Sequence, residues 1–88
     1  MNFKTKELER VLSVYDSGFN LKVAADKCDV SPQCICKNVI NIEYLLGFQI
    51  FQRGHRKYVD LTEKGVEAIE IIREIVSHSK LLEVIKTH

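Results

Sequence analysis

The sequence predicts a mainly α domain completed by one small β-hairpin, with a long final helix. Three observations predict it. Apolar residues recur at helical spacing in four separate stretches, and glycines or capping residues mark the junctions between those stretches. A single basic, glycine-containing segment lies between two short runs in which apolar and polar side chains alternate. The chain has 88 residues, 45% hydrophobic and 28% charged, with one proline, which suits one ordered domain with a modest core.

The first helix is read from Leu8, Val11, Leu12 and Tyr15, which repeat at i, i+3, i+4 and i+7, and it should stop near Ser17-Gly18. Asn20 should cap a short second helix reaching Cys28, with Leu21, Ala24, Ala25 and Cys28 along one face. The two alanines leave room for another helix to approach closely. Asp29-Val30-Ser31-Pro32 reads as a turn into a third helix. Ser31 is a good N-cap there, and Pro32 takes the first helical position, where its missing N–H costs nothing. Ile35, Val39, Ile42 and Leu46 should bury one face of this helix, and Gly47 should end it. The opposite face carries Gln33, Cys36, Lys37, Ile40, Asn41 and Tyr44.

Two strands are expected next, Phe48 to Phe51 and Tyr58 to Leu61, around the loop Gln52-Arg53-Gly54-His55-Arg56-Lys57, which is longer than the tightest hairpin connections. Thr62 should cap the last helix, with Glu63 in its first turn where the helix dipole favours an anion. That helix should run to about Lys86, its first turns covering the core with Val66, Ile69 and Ile72. Ile71, Ile75, His78, Leu82 and Ile85 then recur at spacings of four, three, four and three, a coiled-coil-like seam that a second copy would cover. The expected division is residues 1–61 as the helical domain with its hairpin, and residues 62–88 as a dimerisation helix packed on it.

Composition and inventory exclude several classes of function. No apolar run approaches the roughly 20 residues needed to cross a bilayer, and the N-terminus lacks the apolar stretch of a signal peptide, so a cytoplasmic protein is expected. Three cysteines argue for a reducing compartment, and Cys34 and Cys36 should point to nearly opposite sides of their helix, so no metal is expected. No phosphate-binding glycine loop, triad or carboxylate pair suggests an enzyme, and no cofactor is expected. Net charge is only +1, but it is unevenly spread. Residues 31–58 hold Lys37, Arg53, Arg56 and Lys57 against Glu43 alone, whereas residues 59–88 hold four cations against six anions. Such asymmetry suits one surface that faces nucleic acid.

Three helices and a hairpin, with a tight turn between the second and third helices, make the winged helix-turn-helix order. In that order the third helix enters the major groove, and its first turns offer Ser31, Gln33, Cys34, Lys37 and Asn41 to base edges. Gln pairs with adenine, Lys reaches guanine or phosphate, and a small Cys rests on a thymine methyl. The basic loop, with Arg53, His55, Arg56 and Lys57, should reach phosphates or the minor groove. Arg53 has an equal alternative, bracing the fold through its aliphatic stem.

Ala24-Ala25, Val30-Ser31-Pro32-Gln33, the run Ile42 to Arg53 with its "LLG-Q-F-R" pattern, and Leu61-Thr62-Glu63-Lys64-Gly65 together resemble the N-terminal domain of LysR-type transcriptional regulators. The similarity covers about Leu8 to Ile75; the molybdate-responsive regulators offer a weaker one. The LysR resemblance implies a DNA-binding dimer, with recognition-helix contacts at Ser31, Gln33, Cys34 and Lys37, and wing and backbone contacts near Arg53, Arg56 and Thr62. Two departures stand out. Ser31-Pro32-Gln33 replaces the usual serine-glutamine-proline order, and Cys36 stands where the family has a helical serine. Family members also continue into a large effector-binding domain, whereas this sequence stops at His88. The expectation is a sequence-specific transcriptional regulator, a homodimer on an inverted-repeat site of double-stranded DNA, without a small-molecule effector domain. The alternative is a protein-interaction module or antagonist that pairs through its last helix with a full-length regulator, and a fragment of a longer regulator is a third reading.

Overall fold

The computed structural model of the chain describes residues 3–55 and 57–86, and the side chains of residues 83, 84 and 86 are left aside. Four helices and one hairpin follow in order: α1 (Thr5–Asp16), α2 (Leu21–Cys28), α3 (Pro32–Leu46), β1 (Phe51–Gly54), β2 (Lys57–Leu61) and α4 (Glu63–Lys86). α1 lies at the centre of the helical layer and packs against α2, α3 and α4. Among the described residues no helix is long and apolar enough to cross a membrane.

Local chemistry sets the boundaries as the sequence suggests. The Asn20 side chain accepts from Val23 N at 3.1 Å to start α2, and the Ser31 hydroxyl accepts from Cys34 N at 3.2 Å to start α3. α3 stops at Gly47, whose φ of 83° lies in the left-handed region. Gly18 and Phe19 leave α1 with φ of 64° and 67°. Phe19 is held in that disfavoured conformation by its ring, edge-on to Tyr15 and Phe51 with centroids 6.0 Å away in each case.

The core gathers Leu8, Val11, Leu12 and Val14 of α1, Ala24 and Ala25 of α2, and Ile35, Val39 and Ile42 of α3. Ile50, Phe51 and Tyr58 close it from the hairpin side. Val14, not Tyr15, is the last fully buried position of α1; Tyr15 is over a third exposed because its phenol edge turns towards Phe19 at the surface. On α4 the core positions are Ala68, Ile69, Ile72 and Val76, and Val66 points outward, half exposed. The helix is thus rotated from the expected face.

That rotation follows from Gly65. A Cβ placed there would lie 2.0 Å from the backbone oxygen of Ile50, so only glycine lets the first turn of α4 press against the chain entering β1. Thr62 completes the joint. Its backbone N–H donates to Ile50 O at 2.9 Å, its hydroxyl donates to Gln49 O at 2.5 Å, and its oxygen accepts from Gly65 N at 2.9 Å as the helix cap.

The hairpin sits further along the chain than expected. Phe51 pairs with Leu61, Gln52 with Asp60, Arg53 with Tyr58 and Gly54 with Lys57, with a bulge after Gln52. The first strand therefore occupies Phe51–Gly54 rather than Phe48 to Phe51, and only positions 55 and 56 connect the strands. The reason lies in Glu43, whose carboxylate accepts from Ile50 N at 2.7 Å and from Phe51 N at 3.2 Å. A side chain satisfies those backbone donors, so the ladder starts only at Phe51, whose N–H is already taken by Glu43.

Candidate nucleic-acid interface

α3 divides into four faces at about 100° per residue. Ile35, Val39 and Ile42 are fully buried against the core. Diametrically opposite, Gln33, Lys37, Ile40 and Tyr44 form one exposed stripe. One flank of the stripe meets α1 and the other meets the hairpin. No acidic side chain lies on the stripe, and Glu43, the acidic residue of α3, is buried.

The α1 flank carries polar contacts that sequence reasoning missed. Arg10 Nη1 donates to Asn38 Oδ1 at 2.9 Å and lies 3.6 Å from Cys34 Sγ. The Asn41 amide donates to Glu7 Oε2 at 2.9 Å, and Asn38 reaches the same oxygen at 3.4 Å. Cys34 is therefore half-buried against α1, and Asn41, though exposed, has one donor already engaged. The spacing Asn38, Asn41 on α3 and Glu7, Arg10 on α1 is the only sequence sign of this clasp, since each pair recurs at i, i+3.

The hairpin flank is built on an ion pair. Arg53 forks onto Glu43, one nitrogen donating to Oε2 at 3.1 Å and the other to Oε1, while Nη1 also donates to Phe51 O at 2.6 Å. Its guanidinium lies 4.7 Å from the centroid of the Tyr58 ring. The hydrogen bond to Glu43 raises the Arg53 pKa further, with burial opposing it. Burial pushes the Tyr58 phenol up to about 12, with the charge of Cys36 adding to the rise and Arg53 opposing it. Arg53 thus ties α3 to the hairpin, and it does so through its guanidinium rather than through the aliphatic stem that the sequence suggested. Cys36 faces Tyr58 across this flank, and Cys34 faces α1, so the two thiols point apart. Among the described residues no group of His, Cys, Asp and Glu has the arrangement to hold a metal ion.

The remaining expected contacts are placed as follows. Ser31 is exposed but caps α3, and Thr62 is occupied by its joint with residues 49 and 50. His55 in the turn and Lys57 at the start of β2 are exposed, and Arg56 lies outside the described residues. Gln33 and Lys37 alone of the expected helix positions are exposed on the outward stripe. On α4, Ile71, Ile75, Leu82 and Ile85 are all exposed, at 57%, 41%, 67% and 70%, and His78 is exposed among them.

No protein-family model matches the sequence. Solved structures do. The structure of the CbnR DNA-binding domain in complex with DNA matches with a TM-score of 0.84 at 25% identity, over 97% of this chain and 95% of that one. Vibrio fischeri DarR in complex with DNA matches at 0.86 and 21% identity, over 99% of this chain and 29% of that one. Full-length OxyR from Pseudomonas aeruginosa matches at 0.88 and 20% identity, over 98% of this chain and 28% of that one. The chain therefore spans less than a third of the two full regulators. CbnR is described as a LysR family transcriptional regulator. The likeness extends over all six elements, so the chain has the winged helix-turn-helix fold of the DNA-binding domains of LysR-type transcriptional regulators, the family its motifs resemble.

Proposed function

We propose that this chain is a sequence-specific, non-enzymatic DNA-binding transcriptional regulator that acts as a homodimer. One observation carries the reading of DNA. The α3 face turned away from the core is exposed, free of anions, and begins with Gln33 and Lys37. These side chains suit base edges in a major groove, about 12 Å wide, that admits a helix. Ser31 and Asn41 border this set, while Cys34 contributes at most from the α1 flank. His55, Lys57 and Arg56 are assigned to the phosphate backbone, and Arg53 and Thr62 to holding α3 and the hairpin in position. The fold matches domains solved on DNA, including those of CbnR and DarR.

Residues 62–88 are assigned to dimerisation, residues 1–61 to the DNA-binding unit. Ile71, Ile75, His78, Leu82 and Ile85 form an exposed, largely apolar seam, which a second α4 would remove from water. A two-fold pair would present two recognition helices about 34 Å or a multiple of it apart, hence an inverted-repeat site. Selection of bound sequences from random DNA tests the whole reading. An enriched inverted motif is expected; absence of any enrichment at low salt would point instead to a protein-interaction module.

A further inference from the structure

The outward stripe of α3 changes character halfway along. Its first half is Gln33 and Lys37, and its second half is Ile40 and Tyr44, 58% and 82% exposed. A large apolar ridge left in water on the outer face of a helix calls for a partner surface. The ridge is flanked by cations. On the α1 side Lys4, Lys6 and Arg10 line a groove with Lys37, Asn38 and Asn41, and the one carboxylate among its lining residues, Glu7, is engaged by both asparagines. The hairpin adds a further exposed cation, Lys57 at the start of β2. A partner that fits is apolar at its floor and anionic along its walls. A thymine-containing major groove has that form, with C5-methyl groups on the floor and phosphates on either side.

We infer that Ile40 reads a thymine methyl, extending base recognition beyond Gln33 and Lys37; this rests on the DNA-binding reading above. Ile40 stands seven residues from Gln33, about 10.5 Å along the axis at 1.5 Å per residue. At about 3.4 Å of duplex axis per base pair, and with α3 running along the groove, its thymine lies roughly three base pairs from the pair that Gln33 contacts. The contact is apolar packing, with no hydrogen bond and no covalent step. Being exposed, Ile40 is also replaceable without loss of the fold.

The test uses the full chain and the duplex recovered by selection from random DNA. Each thymine is replaced in turn by uracil, which removes only the methyl group, and affinity is measured for wild type and Ile40→Ala. One replacement, about three base pairs from the position altered by Gln33→Ala, should weaken wild-type binding about fourfold, the worth of one buried methyl-sized group. Ile40→Ala should bind the unmodified duplex correspondingly less well and be indifferent to that uracil. Equal uracil penalties in wild type and Ile40→Ala overturn the inference, as does a selected site at which no methyl matters; either would leave the ridge to another partner. Failure of the selection to enrich any sequence overturns the DNA reading itself and this inference with it.

Discussion

Lys37 projects from α3 into solvent, whereas Arg53, of the same charge, is folded back onto a buried carboxylate. Exposure and partner, not residue type, separate a group that is available to DNA from one that positions it. Gln33, exposed and opposite the buried face, belongs with Lys37. Gln33→Ala should relax base preference at one position at a cost of about 1–3 kcal/mol in specific binding, with thermal stability almost unchanged. Equal losses on specific and random DNA would show that Gln33 does not read sequence. Tyr58 gives a different signature. Its phenol loses a proton near 10 in the unfolded chain but at about 12 in the fold. Between those values the folded state holds the proton more tightly, so stability present below pH 10 declines as pH rises towards 12. Tyr58→Phe should remove that part of the decline in denaturant titrations across this range. An unaltered pH profile would assign the decline elsewhere.

At the scale of elements, α3 is clamped on both sides, by Glu7 and Arg10 from α1 and by Arg53 from β1. The hairpin in turn is fixed to α4 through Thr62 and Gly65. Gly65→Ala inserts a Cβ onto the Ile50 backbone oxygen, which no side-chain rotation relieves. It should destabilise the domain by about 1–3 kcal/mol, the usual cost of overpacking, measurable by urea denaturation; wild-type stability in this variant would mean that the α4–β1 joint yields readily. The hairpin tip has the opposite profile. Lys57 is exposed, and Lys57→Ala should weaken binding to all sequences alike while lowering the slope of log affinity against log salt by about one. An unchanged slope would place Lys57 away from the phosphates.

For the whole molecule, α4 decides the shape. Its 24 residues extend about 36 Å at 1.5 Å per residue, in a molecule whose longest dimension is 47 Å. Its apolar seam adjoins the core face, so Ile71 and Ile75 line a groove with Phe3, Leu8, Leu46 and Phe48 from α1, α3 and their neighbouring segments. A second copy laid along the seam would cover this groove too. Leu82→Glu lies beyond the core positions and should give a folded monomer with weaker DNA binding; Ile75→Glu should act likewise. Light scattering at micromolar concentration gives the answer, and a wild-type monomer there would refute dimerisation through α4.

Much of this protein is written locally in its sequence. Asn20, Ser31 and Gly47 fix where α2 and α3 begin or end because a cap acts within three residues of itself. The buried face of α3 follows from the 3.6-residue period at Ile35, Val39 and Ile42, and so does the exposed stripe opposite. The fold was legible in these local signals because each element agreed with its neighbours. What tertiary structure decided is everything that depends on residues far apart in the chain. Glu43 took the backbone N–H groups of Ile50 and Phe51, which moved the hairpin along the sequence and drew Arg53 inward. Gly65 let α4 approach Ile50, which turned Ala68 and Val76 into the core and left Val66 outside. On paper Asn41 shares a polar helix face with Lys37 and Cys34 lies in the first turns of the same helix, yet α1 packs against that edge and engages both. A period names the side of a helix that is buried; only the packed neighbours determine which residues at its margins remain free.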